Sequence, residues 1–397
     1  MTMTEHRAVS IGAKDQRGAS RRRVSVRNGG IRFESGANAI ELPAAWWRDQ
    51  TTEVGQIEAT NRQRIFTPLD IPADLEVVDA RLEPVEPILA VAFSDGHVAS
   101  IDLAMVERLL GWRPDPEEPP SPRPWTAPID PFPYVAWDRV GVDPNEEDPA
   151  AIVTALGAFF EHGYVVFRGV PTEPGTIRHV ADRLGYLVGT NFGDVFDVRT
   201  EPRPTDLAYT SLGLPAHTDQ PYRDPAPGIQ MLHCLRNEAP GGDSTLVDGL
   251  AATQWLAEVD PAGHAALVDT RVVFRYDMGA DTVVSYGHVI EVDHDGTYRQ
   301  IKLNTKLDTP LPADGRSLDD WYRGRRLLCE WLSDPAHRVT FRLEPGDLMF
   351  MDNLRALHGR TGFDSSAGAR HLQGCYIEHD GPGTRYRLAV RRLRGSS

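Results

Sequence analysis

Nine prolines fall within the 21 residues from Arg113 to Pro133, RPDPEEPPSPRPWTAPIDPFP. Each removes a backbone donor and fixes φ at about −65°, so neither a helix interior nor a central strand can run through. The segment 113–133 is therefore expected to be a linker that divides the chain into a shorter and a longer folded part.

The shorter part, 24–112, alternates brief apolar runs with turn residues. VSVRNGGIRFE reads as a hairpin closed by Asn28-Gly29-Gly30. VVDARLEPVEPILAVAFSDGHVASIDL reads as two or three more strands with a turn at Asp95-Gly96, and AMVERLLGW as a short helix. This is a small β-rich N-terminal domain. The residues ahead of it, 1–23, include Arg21, Arg22 and Arg23 and show no apolar periodicity, so a disordered tail is expected. They also lack the apolar core of a secretory signal.

The longer part, 134–394, mixes two periodicities. PAAIVTALGAFFEH and GTIRHVADRLGYL read as amphipathic helices, with a further helix near 318–333. YVVF, GIQMLHCL, STLVDGL, VVFRYDM, VVSYGHVIEVD, TYRQIKLN, RVTFRL, DLMFMDN and HLQGCYIEH read as short strands. Many short strands with long insertions predict a mainly β fold with flanking helices, a sandwich or jelly roll.

Charge and composition exclude several classes. The net charge of −15 opposes general nucleic-acid binding. No run of about 18 apolar residues suggests a membrane span. Cys234, Cys329 and Cys375 are few and far apart, which predicts neither a disulfide framework nor a cysteine-based zinc site and fits a reducing cytoplasm.

His217-Thr218-Asp219 lies in a segment that reads as extended. Residues i and i+2 of an extended chain point the same way, so one imidazole and one carboxylate can reach a common point. An H-x-D pair recurs by chance, and a facial triad needs a third ligand from elsewhere. The run DLMFMDNLRALHGR offers His358, followed by Gly359, which permits close backbone approach. Two histidines and one carboxylate leave three positions open on an octahedral ion, the arrangement of non-haem Fe(II) oxygenases. His162, His264, His294 and His337 read as surface or helix-end residues, and His233 as a core histidine. Arg370, 12 residues after His358, begins a strand. Its guanidinium can grip a carboxylate bidentately or make an ordinary surface ion pair, and the residues alone leave both open.

Five segments taken in order resemble the γ-butyrobetaine and trimethyllysine dioxygenase branch of the taurine-dioxygenase-like family: GYVVFRGV (163–170), AYTSLGLPAHTDQPYRDPAPGIQMLHCL (208–235), APGGDSTLVDGL (239–250), PGDLMFMDNLRALHGRTGF (345–363) and ARHLQGCYIEHD (369–380). The resemblance implies an Fe(II)- and 2-oxoglutarate-dependent oxygenase on a double-stranded β-helix. His217 and Asp219 would sit near one strand end and His358 across the barrel mouth, together holding the metal. Arg370 would pair with the distal carboxylate of 2-oxoglutarate, with Asn304, Leu232 and Ser244 close to the cosubstrate. The small domain of this branch carries cysteines that hold zinc after a W-x-R-D-like segment. Here Trp47-Arg48-Asp49-Gln50 is followed by TTEVGQIEATNRQR without a cysteine, so no structural zinc is expected. The same resemblance implies a homodimer.

At positions matching the family's aromatic cage for a trimethylammonium group stand Phe192, Phe196, Tyr209 and Tyr376. Aromatic faces attract a cation that cannot donate hydrogen bonds. Asp206 and Gln220 depart from the branch that binds a substrate carboxylate, and Arg199 and Arg223 lie nearby in sequence. The expected substrate is a small quaternary-ammonium compound such as γ-butyrobetaine, or a carboxylate, phosphonate or amino-acid analogue. The expected reaction consumes O2, yields succinate and CO2, and hydroxylates or otherwise oxidises an unactivated C–H bond, with ascorbate as reductant in vitro. The competing readings are a taurine-like sulfonate dioxygenase, a zinc-dependent hydrolase on a cupin-like barrel, and a non-catalytic barrel that only binds.

Overall fold

The computed structural model describes residues 22–84, 87–141, 147–199, 210–279, 281–312 and 318–395. The chain forms two compact units that divide between Pro116 and Glu117.

The first unit holds two three-stranded antiparallel sheets. One runs Arg22–Arg27, Gly30–Ser35 and Asn38–Leu42; the other runs Val77–Leu82, Ile88–Phe93 and Val98–Asp102. Ile31, Phe33, Trp47, Leu89, Val91 and Ile101 are among its core residues. Asn28 and Gly29, both at positive φ, close the first hairpin. Arg22 and Arg23, expected in the tail, belong to the first strand. The physical reason is Glu107, whose buried carboxylate is clasped by Arg22 through Nε at 2.6 Å and Nη2 at 2.9 Å. Burying a carboxylate without such a partner would cost several kcal/mol.

The second unit is a β-sandwich with helices packed around it. Its larger sheet has six strands in the order Tyr134–Ala136, Tyr164–Arg168, Leu348–Asp352, Ile229–Asn237, Arg370–Ile377 and Val195–Arg199. Its smaller sheet has four, in the order Leu214–His217, Ala356–Arg360, Ser244–Asp248 and Val339–Phe341. All pairings in these sheets are antiparallel except that of the first two strands of the larger one. Side chains from both sheets, including Tyr164, Cys234, Leu246, Met349 and Ala356, share one core. The mainly β, jelly-roll-type expectation therefore holds for this unit.

The helix Pro149–His162 covers the outer face of the larger sheet. Asp148 caps it by accepting from the Ala150 amide at 2.9 Å, a contribution of roughly 1 kcal/mol. Its buried residues Ile152, Ala155, Leu156 and Phe159 recur at helical spacing, and Gly163 in the left-handed region ends it. The segment expected as a linker is shorter than that. From Glu117 onward the proline-rich chain belongs to the second unit, because aromatics set between the prolines anchor it. Trp125 is buried, donating from its amide to Asp248 Oδ2 at 3.0 Å and from Nε1 to the His162 carbonyl at 2.7 Å. Phe132 packs against Tyr134, Tyr164 and Phe341. No helix of the described residues is long and apolar enough to cross a membrane.

Candidate active site

The alternation expected at His217-Thr218-Asp219 is present, and Thr218 shows why. Its side chain turns away, fully buried, to accept from the Leu303 amide and donate to the Ile301 carbonyl, both at 3.2 Å. That leaves His217 and Asp219 on the other face, half-buried and opening on a cavity. His358 joins them differently from the expectation. It does not approach from across the mouth: it is the direct cross-strand neighbour of His217 in the smaller sheet. Paired residues on adjacent strands stand only about 5 Å apart, which brings the two imidazoles to 4.4 Å between ring centroids. Gly359 makes this possible, since a Cβ there would meet the Leu214 carbonyl oxygen at 2.5 Å.

One ligand atom from each of His217, Asp219 and His358 lies within 4.8 Å of the others. His217 Nε2 is 3.2 Å from Asp219 Oδ1, close to the separation of about 3 Å for two adjacent ligands on one ion. The other ring nitrogen of His217 is 2.9 Å from the Pro215 carbonyl, which can only accept, so Nδ1 carries a proton and Nε2 is the atom turned toward Asp219. Burial opposes charge on His217, and the Asp219 carboxylate outweighs it, raising its pKa. His358 is pushed down to about 4 by burial, so its imidazole is neutral near pH 7. Asp219 resists the upward push of burial and is held well below the ordinary carboxylate range by His358, His217 and Tyr376. An ionised carboxylate beside a neutral imidazole is the form in which these groups bind a cation.

Asp219 is held from three sides. Asn353, fully buried, accepts from its amide at 2.8 Å and donates to its carbonyl at 3.0 Å. Its Oδ2 accepts from Gln230 Nε2 and from the Tyr376 hydroxyl at 2.7 Å. Asn353 and Gln230 had no place in the sequence reading, although Asn353 lies in the same short run as His358.

The cavity extends from the triad between the two sheets. Gln230 and Leu232, Arg370 and Leu372, Phe196 and Val198, and His358 and Arg360 line it as i, i+2 pairs, each from one strand. Ser244 and Leu232, expected near the cosubstrate, are among the lining residues. At the end away from the triad stands Arg370, 8% exposed. Its Nη2 donates to the Gly242 carbonyl at 3.3 Å, its Nε has no partner, and no carboxylate of the described residues is within ion-pair distance. Burial lowers its pKa. Arg360 lines the same cavity, donating to the carbonyls of Thr210 and Leu212 at 2.8 Å, and is lowered to about 10 by burial and then by the charge of Arg370. Sequence reasoning passed over Arg360, yet strand alternation from His358 points to it. Both guanidiniums lie over the Phe363 ring.

Phe192, Phe196 and Tyr376 form a row, with ring centroids 6.1 Å and 5.5 Å apart. Phe196 lies opposite Gly374, where a Cβ would sit 2.5 Å from its ring. Tyr276, not anticipated, extends the row from Phe192 at 6.4 Å and stacks on Tyr222 at 4.7 Å. Other expected residues fall elsewhere. Asn304 uses its amide at the Thr218 carbonyl, 3.4 Å away, and Gln220 is buried at φ 49° beside the Tyr376 hydroxyl. Arg223 donates to the Gly189 carbonyl at 3.1 Å, and Arg199 is exposed at a strand end. Asp206 and Tyr209 lie outside the described residues.

A sandwich with two histidines and one carboxylate converging at one end of a cavity has the donor set of the mononuclear non-haem iron oxygenases. Residues 126–376 match the taurine catabolism dioxygenase TauD, TfdA family, and the chain belongs to that family, whose members are Fe(II)- and 2-oxoglutarate-dependent dioxygenases. It is 33% identical to γ-butyrobetaine dioxygenase of Pseudomonas sp. (strain AK-1), over 84% of this chain and 87% of that protein. It is 31% identical to human γ-butyrobetaine dioxygenase, over 58% and 61%, and 26% identical to mitochondrial trimethyllysine dioxygenase of Bos taurus, over 86% and 81%. Among solved structures, an asparagine oxygenase in complex with Fe(II), 3-hydroxyasparagine and succinate aligns with a TM-score of 0.48 at 20% identity, covering 58% of this chain and 79% of that one.

Proposed function

We propose that His217, Asp219 and His358 hold one Fe(II), that Arg370 receives the distal carboxylate of 2-oxoglutarate, and that the protein oxidises a C–H bond of a small quaternary-ammonium compound. The observation that carries this reading is one cavity with an ionised carboxylate between two imidazoles at one end and a buried guanidinium without an anionic partner at the other. Its two ends match a cation and a dicarboxylate that must be bound together. Iron(II) held there would let O2 convert 2-oxoglutarate to succinate and CO2 and supply an oxidant strong enough for an unactivated C–H bond.

The protein's contribution is placement. Arg370 fixes one end of the cosubstrate in a dry pocket, where a charge-assisted contact is strongest. The apolar side chains of Leu232, Val198, Met349 and Leu372 line the stretch between the two ends. The row of Phe192, Phe196 and Tyr376 beside Asp219 offers aromatic faces to a cation that cannot donate hydrogen bonds. The similarity to γ-butyrobetaine and trimethyllysine dioxygenases supports a trimethylammonium substrate over a sulfonate. Asn304 is better read as a residue that steadies the His217–Asp219 segment than as a cosubstrate contact, because its amide already serves Thr218. A homodimer in a reducing cytoplasm completes the reading, with the three cysteines free.

The test is succinate formation by the purified protein with Fe(II), 2-oxoglutarate, ascorbate and O2, against trimethylammonium carboxylates, amino acids and phosphonates, with taurine for comparison. Stimulation by one quaternary-ammonium member is the expected result, abolished by His217→Ala. Stimulation by taurine alone would replace this substrate class with a sulfonate, and failure to bind iron would end the oxygenase reading.

A further inference from the structure

Asp219 has two carboxylate oxygens, and the neighbouring strands treat them differently. Oδ1 faces His217 Nε2 at 3.2 Å, and Oδ2 lies farther from the second imidazole, 3.7 Å from His358 Nε2. Oδ2 accepts the Tyr376 hydroxyl at 2.7 Å and Gln230 Nε2. Gln230 and Tyr376 are direct cross-strand partners in the larger sheet, so two donors from adjacent strands converge on one oxygen by register. The same face of Arg370–Ile377 carries Arg370, Leu372, Gly374 and Tyr376 in alternation, and the Phe196 ring fills the space over Gly374. Tyr376 thus stands at the metal end of a strand whose other end carries the buried guanidinium, and its ring closes the aromatic row.

A carboxylate that offers both oxygens to a metal fills two coordination positions, and one that offers a single oxygen fills one. Two histidines and one oxygen leave three positions open on an octahedral ion. A cosubstrate offering two donor atoms, together with O2, would need all three. Two donors on Oδ2 would leave the carboxylate a single oxygen to offer a metal.

We propose that Gln230 and Tyr376 form a clamp that holds Asp219 as a single-oxygen ligand, making Tyr376 a positioning residue for the metal as well as a wall of the substrate pocket. The proposal rests on the Fe(II) reading above. It separates the two parts of one side chain: the ring serves the substrate and the hydroxyl serves the iron ligand. Partners of this kind, which orient ligands without touching metal, typically change metal affinity 10- to 100-fold (an order-of-magnitude range) when removed.

The experiment uses the full-length protein and Tyr376→Phe, which keeps the ring and removes the hydroxyl, together with Gln230→Met. Two quantities are read: Fe(II) affinity by anaerobic titration, and the visible charge-transfer absorption of protein with Fe(II) and 2-oxoglutarate. The expected result is an affinity loss of about tenfold or more in Tyr376→Phe, with a shifted absorption band and an unchanged melting temperature of the metal-free protein. Gln230→Met should behave the same way, and it carries the test alone if Tyr376→Phe does not fold. Combining the two should cost more than the product of the single effects, because each donor covers in part for the other. Variants that bind Fe(II) within twofold of the parent, with the parent's absorption band, overturn the clamp and leave the oxygenase reading standing. A parent that binds no iron overturns both.

Discussion

Two arginines of the second unit are buried to similar depth, 4% exposed for Arg355 and 8% for Arg370, yet their surroundings differ completely. Every guanidinium nitrogen of Arg355 has an acceptor. Nε donates to Asp248 Oδ1 at 3.1 Å, Nη1 to the Phe160 carbonyl at 3.0 Å, and Nη2 to the carbonyls of Arg123 and Glu161 at 2.7 and 3.0 Å. Asp248 is equally engaged, accepting from Trp125 and capping the helix Gly249–Val259. This pair ties the incoming proline-rich chain and the end of the helix Pro149–His162 to the strand that carries His358. Arg370 has one long contact and an orphaned Nε. Burial is therefore no guide to the role of a charge in this protein; satisfaction is. A charge whose partners are all supplied by the chain holds the fold. A charge buried without them waits for a ligand, at some cost to the fold.

The strongest way to break this comparison is Arg355→Met. It leaves Asp248 buried without its cation and frees three backbone carbonyls. The expected loss is about 3–5 kcal/mol of folding stability, read from urea or thermal unfolding. Adding Asp248→Asn should recover part of it, since the stranded carboxylate is then neutral. An Arg355→Met protein as stable as the parent would remove the structural half of the contrast.

His233 tests the same rule with a group that escapes cost by staying neutral. It is fully buried on the strand Ile229–Asn237, and burial, against a smaller opposing pull from the Val170 backbone, pushes it from 6.5 down to about 4. The unfolded chain takes up the proton first. Stability is therefore complete above pH about 6.5 and falls as the pH drops toward 4, by roughly 3 kcal/mol in all. His233→Leu should flatten that slope while changing little at pH 7.5. Equal acid sensitivity in both proteins would assign the acid response to other groups.

How much of this was legible beforehand depends on the range of the interaction. His217 and Asp219 follow from alternation, whereas the roles expected of His358 and Arg370 rest on the resemblance of their segments to the family. The strand Ala356–Arg360 was not read as one, because all five residues are buried and leave no polar–apolar alternation to detect. The helix Asp380–Gly395 begins with DGPGT, which reads as a turn. It is held by Tyr386 and Ala389 in the core around Pro149–His162, and by Arg387 and Arg391 paired with Glu118 and Glu117. Gln230 and Tyr376 meet at Asp219 only through the register of two strands far apart in sequence. The expected linker exceeds the observed boundary because prolines predict extended chain equally well on a surface and in solution.

The smallest expected effect on folding is at Arg370, and it decides the functional half of the contrast. Arg370→Met matches Arg355→Met in chemistry and in burial. It removes a cation that no carboxylate of the described residues neutralises and that sits beside the charge of Arg360. Folding stability should change by no more than about 1 kcal/mol in either direction, since an unpaired buried charge is replaced by an apolar side chain of similar volume. Binding should tell the opposite story. Losing a desolvated charge-assisted contact to a carboxylate costs about 2–3 kcal/mol, roughly a 100-fold rise in the dissociation constant for 2-oxoglutarate. Unfolding curves and 2-oxoglutarate titrations of the two Met variants side by side give four numbers, and the contrast requires them to cross: Arg355→Met large on folding, Arg370→Met large on binding. Two arginines that both weaken folding and leave cosubstrate affinity intact would mean that Arg370 is held by the fold for its own sake, and the anion would have to be sought at Arg360.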